Sequence, residues 1–180
     1  DHAGPPMAWR LNRHQDSANK ELGPIGLIRN AMTYALTRSG VLSMPAAAVG
    51  IFARSNEHIR RPDLQFHCLP VSGRDSDEPS QQQVDAFPGF TIMPYLMHPQ
   101  SRGKVYAKSP DASLDPGIEV NYFADEQDLE AVVSGMRLAQ RIVETEPFAA
   151  AVSERIRPLA DVTTNSDYAA YARDHAHTGY

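Results

Sequence analysis

The residues able to do chemistry are few and scattered: His67 within Pro62-Asp63-Leu64-Gln65-Phe66-His67, Arg102 within Ser101-Arg102-Gly103, and a tail reading Asp174-His175-Ala176-His177-Thr178-Gly179-Tyr180. A His-x-His pair puts two imidazoles on one side of a strand, and Asp174 beside it offers a third metal ligand. Polar residues at a helix exit give the same pattern, and no further ligand cluster accompanies it, so no metal site is assigned. Arg102 suits either a substrate carboxylate or the carbonyls of its own turn. Met93, Tyr95 and Met97 alternate along one face, as a lipophilic pocket wall or as sheet core. His67, taken by itself, reads as a histidine satisfied by a neighbouring backbone carbonyl. No Gly-x-Gly-x-x-Gly follows a strand, so the chain offers no dinucleotide phosphate cradle. No complete catalytic set is present.

The whole chain bounds what can position these groups. Its 180 residues, 42% of them hydrophobic, suffice for one domain over residues 1–180 with a core that needs no disulfide. A net charge of −5, with 17 basic residues spread along the chain, argues against nucleic acid as a partner. Cys68 is the single cysteine, which fits a reducing compartment and a cytoplasmic setting. The longest apolar run, 44–52, is far short of a membrane span. The chain starts at Asp1 rather than Met, which suggests a portion of something longer.

Residues 1–20 show no period and read as an extended lead-in. Apolar spacing predicts helices over 22–37 and, most strongly, over 125–145, where Leu129, Val132, Val133, Met136, Ala139, Ile142 and Val143 form one stripe, Asp125 or Asp128 caps the start and Pro147 stops it. Strands are expected over 46–55, 64–71, 89–97, 103–109 and 117–122. The polar stretch 72–86 reads as a mobile loop, 148–158 as poorly patterned, and Ser166 as the cap of a last helix running to about His175. Strands in the middle and helices at both ends predict α+β: an antiparallel sheet of five to six strands with helices covering one face.

Several stretches, taken in order, resemble the glucose-methanol-choline (GMC) family of flavin oxidoreductases. Asp1-His2 is similar to the end of its Asn-Leu-Gln-Asp-His stretch. Gly50-Ile51-Phe52-Ala53-Arg54-Ser55 resembles its Gly-x-Phe-x-x-Ser strand, and residues 62–67 its Pro-Asp-x-Gln-Phe-His strand. Pro99-Gln100-Ser101-Arg102-Gly103 is similar to its Pro-x-Ser-Arg-Gly turn, and Asn121-Tyr122 to the end of its next strand. The tail resembles the approach to a His-Pro-x-Gly-Thr stretch that carries the family's catalytic base, which would follow Tyr180. The resemblance implies the substrate-binding domain of a choline dehydrogenase-like or alcohol dehydrogenase enzyme, with FAD held by another domain of the parent and the isolated chain inactive. It implies a sheet facing the flavin, with His67, Gly179 and Tyr180 beside the substrate and Ser101, Arg102, Gly103, Asn121 and Tyr122 as structural motif. Ala46-Ala47-Ala48 is small and apolar where a cage for a quaternary ammonium would be expected, so a primary alcohol is favoured over choline. An exposed sheet face also suits homodimerisation. The readings from other classes are a stand-alone α+β module that binds a small molecule or a protein, and a metal hydrolase built on His175 and His177.

Overall fold

Met7, Ala8 and Trp9 are 0–1% exposed, and burial on both faces of a strand is what places them in the middle of a sheet. The computed structural model describes residues 2–74 and 83–179. In chain order its elements are β1 (Ala3–Gly4), β2 (Met7–Leu11), α1 (Pro24–Thr37), β3 (Val49–Ala53), β4 (Leu64–Leu69), β5 (Gly73–Arg74), β6 (Gln83–Val84), β7 (Gly89–Leu96), β8 (Lys104–Tyr106), β9 (Gly117–Glu119), α2 (Glu126–Val143), α3 (Phe148–Ala151), β10 (Val152–Arg157), α4 (Asn165–His175) and β11 (His177–Thr178). The main sheet is antiparallel throughout, in the order β10-β2-β7-β4-β3.

The expected α+β class holds, yet two members of the sheet differ from those expected. The strands sought over 103–109 and 117–122 form a separate hairpin, β8 with β9. Their places are taken by β2, from the supposed lead-in, and β10, from the stretch without pattern. The short strands β5 and β6 pair at the base of the expected loop, whose residues 75–82 lie outside the described residues.

Alternation gives the sheet two different faces. Met7, Trp9, Leu64, Phe66, Phe90, Ile92 and Leu96 join Leu129, Val132, Val133, Met136, Ala139 and Val143 of α2 in one core. A methyl group on Gly135 would lie 3.0 Å from Pro94 Cβ, so glycine lets the helix settle on the strand. Asp125 caps α2 by accepting from Gln127 N. α4 packs Tyr168 and Ala172 into the same core and is capped by Thr164, whose side chain and that of Asp167 form a reciprocal box. Ser166, the expected cap, is already inside that helix. Burial pushes the Cys68 thiol up. No helix among the described residues is long and apolar enough to cross a membrane.

Asn19 ties the amino-terminal segment to the base of the β5–β6 hairpin. Its buried Nδ2 donates to Ser72 O at 2.8 Å and Asp85 O at 2.9 Å, and its Oδ1 accepts from Ser72 N at 3.0 Å. Asn19→Ala strands these buried groups and is expected to lower stability by about 2 kcal/mol. A fall of several degrees in the thermal midpoint checks this; an unchanged midpoint would show that water replaces the amide at no cost.

Candidate functional site

The turn between β7 and β8 is built around one carboxylate. Asp128, 2% exposed in the first turn of α2, accepts from Gln100 N at 2.8 Å, Ser101 N at 2.7 Å and Ser101 Oγ at 2.6 Å. Burial raises its pKa, but these bonds and the nearby Arg102 charge outweigh burial and hold the carboxyl below the usual aspartate range. Ser101 Oγ also accepts from Asp125 N, linking turn and helix cap. Arg102 Nη1 donates to the carbonyls of Pro99, Gln100 and Ser101, the second of its two expected roles. A Cβ on Gly103 would stand 2.2 Å from Glu119 O, so only glycine fits there. Asn121, in the left-handed region at φ 53°, donates from Nδ2 to Arg102 O at 2.9 Å, while Tyr122 packs against the core. These five residues form a brace. A cleft of about 680 Å³ lies beside it, touching His2, His98, Arg102 and Asp128, but its buried carboxylate is already engaged by the turn.

The opposite face of the main sheet gathers different chemistry. Cross-strand pairing gives one row of Phe52, Gln65 and Tyr95 and a neighbouring row of Gly50, His67 and Met93. The His67 and Tyr95 rings lie 4.8 Å apart at 52°, and Tyr95 Oη donates to Met93 Sδ at 3.5 Å. Pairing of β1 with β11, Ala3 to Thr178 and Gly4 to His177, brings the chain's end across this face. A methyl on Gly179 would sit 3.1 Å from Tyr95 Cζ and Oη, and one on Gly4 2.8 Å from Tyr95 Cδ1. Two glycines thus let backbone lie directly on the tyrosine ring.

Of the residues expected beside a substrate, His67 and Gly179 therefore meet through Tyr95; Tyr180 lies outside the described residues. Tyr95 was legible only as an alternating member of a wall or core. Its signal was Gly4 and Gly179, far apart in sequence, each needing room over a flat ring. His175 stacks on Tyr171 at 4.3 Å with Nδ1 3.1 Å from Tyr171 O, and His177 Nδ1 is 3.3 Å from His175 O.

Comparison with known proteins follows the same lines. The GMC oxidoreductase family model matches residues 99–180. The chain is 27% identical over 175 residues to the chloroplastic fatty acid photodecarboxylase of Chlamydomonas reinhardtii, covering 92% of this chain and 28% of that protein. It is 30% identical over 157 residues to an alcohol dehydrogenase (acceptor) of Pseudomonas putida, covering 87% and 28%. An oxygen-dependent choline dehydrogenase of Pseudomonas syringae pv. syringae is 33% identical over 131 residues, covering 73% and 22%. The fold is shared with formate oxidase of Aspergillus oryzae, at TM-score 0.81 and 18% identity over 99% of this chain and 35% of that one. Pyridoxine 4-oxidase is a more distant neighbour, at TM-score 0.69 and 12% identity, covering 99% and 30%. The chain thus spans about a third or less of the proteins it matches, and its residues 99–180 belong to the GMC oxidoreductase family.

Proposed function

We propose that residues 1–180 form the substrate-binding domain of a longer FAD-dependent enzyme that oxidises an alcohol by hydride transfer. The chain itself does not fit the cofactor, since its sequence has no Gly-x-Gly-x-x-Gly cradle. The FAD is therefore assigned to the parent's other domain, and the isolated chain is expected to show no turnover. What this chain supplies is a wall: the sheet face on which half-buried His67 and exposed Phe52 lie beside the buried Met93 and Tyr95, with His67 assigned to bond the substrate hydroxyl. The observation that carries this reading is the contact of Gly179 with Tyr95 beside His67. It brings β11 and Gly179 to the same face. The exposed apolar stripe of α1, Ile25, Ile28, Met32 and Leu36, suits contact with the rest of the parent.

His67→Ala in the full-length protein is expected to lower kcat/KM about tenfold, the value of one lost hydrogen bond in a dry site. His67→Gln, which can still donate, should recover part of the loss. Unchanged kinetics, with flavin absorption and thermal midpoint intact, would remove His67 from the pocket.

A further inference from the structure

Beside His67 the face has a gap. Gly50 pairs with His67 across β3 and β4, yet a Cβ built on Gly50 meets nothing within 4 Å. The neighbouring β3 residues Ile51 and Ala53 pack against the core, so Gly50 and Phe52 point to the other side. Phe52 borders the gap and is 59% exposed. β3 is the edge strand, so among the described residues no further strand of this sheet closes that side. His67 accordingly stands between the Tyr95 and Gly179 contact on one flank and the gap over Gly50 on the other. The rows Phe52, Gln65, Tyr95 and Gly50, His67, Met93 contain no charged Asp, Glu, Lys or Arg.

We infer that Gly50 sets the size of substrate the enzyme takes: the hydrocarbon part of an uncharged alcohol lies over Gly50 against Phe52 while its hydroxyl meets His67. This rests on the proposed function of the face. A glycine in an edge strand weakens pairing and packs nothing, so its value there lies in the space it leaves. An apolar tail gains from that space with every methylene it buries. Because the position is extended and open, a larger residue fits without strain, and a β-branched one suits the strand.

The test compares 1-butanol and 1-decanol as substrates of the full-length flavoenzyme. The native enzyme is expected to prefer decanol at least tenfold in kcat/KM; no preference, or turnover of neither, overturns the inference. Gly50→Leu should cut decanol turnover at least tenfold and leave butanol within twofold. Gly50→Val and Gly50→Ala should follow in the same order with smaller losses, which covers the case in which leucine disturbs the strand. Equal loss for both alcohols across the series, or no loss, overturns the inference. His67→Ala separates the two claims. If it slows both alcohols while the Gly50 series changes neither, the wall stands and the role of Gly50 falls. If it changes neither while the Gly50 series discriminates between them, Gly50 keeps its role and His67 loses its own.

Discussion

Replacing Trp9 with alanine is expected to cost the fold about 3–5 kcal/mol, among the largest losses any single side chain here can produce. Trp9 is 1% exposed and stacks on Phe90 at 5.4 Å and 14°, and Phe90 in turn meets Phe148 at 5.4 Å. It sits on β2 between β10 and β7, paired with Arg155 on one side and Phe90 on the other. Arg155 spans the same layer, donating to the Tyr168 hydroxyl and to the carbonyls of Leu159 and Val162. A cavity at Trp9 therefore loosens both neighbouring strands and the packing beneath α4. The thermal midpoint should fall by roughly 10 °C, and Trp9→Phe should restore most of it. A shift of only a degree or two for Trp9→Ala would mean that β2 is dispensable to the sheet.

Asp128→Ala is expected to be nearly as damaging, at about 3 kcal/mol, because it removes a buried carboxylate that accepts from the Gln100 and Ser101 amides and the Ser101 hydroxyl. The loss should depend on pH. Since the folded carboxyl is held below its ordinary value, its contribution is fully present above the unfolded aspartate value of about 3.9 and disappears as pH falls through the lower folded value. The gap in thermal midpoint between native and Asp128→Ala proteins should thus be widest near neutrality and narrow below about pH 4. A gap that does not change with pH would show that the loss comes from packing and not from the charge. Ser101→Ala, which keeps both amide bonds and removes only the hydroxyl, should cost about 1 kcal/mol.

Much of this site was legible in the sequence because its grammar is local. The turn at 99–103 declares itself through Pro99, Ser101 and Gly103, and α2 through a stripe whose members are almost all buried. The reasons for the misses are physical too. β2 is five residues, too short for a period to rise above noise, and it is buried on both faces at Met7, Ala8 and Trp9. β10 reads Val-Ser-Glu-Arg-Ile-Arg because an edge strand leaves polar groups in water and because Arg155 points inward to a hydroxyl and two carbonyls. The α1 stripe was correct as a pattern, yet Ile25 is 86% and Leu36 82% exposed, since amphipathic spacing marks an apolar face without saying what covers it. His67 and Gly179 could be singled out one at a time. Their meeting on Tyr95 depends on β4–β7 register and on β1–β11 pairing, both long-range facts that no local window holds.

The most direct test of the proposed wall is a crystal structure of the full-length protein soaked with a fluorinated, oxidation-resistant alcohol. The expected result is density over the sheet, with the hydroxyl within hydrogen-bonding reach of His67 and the carbon chain within about 4 Å of Tyr95 or Phe52. Density instead in the cleft beside Asp128 and Arg102, with the His67 face covered by protein, would contradict it.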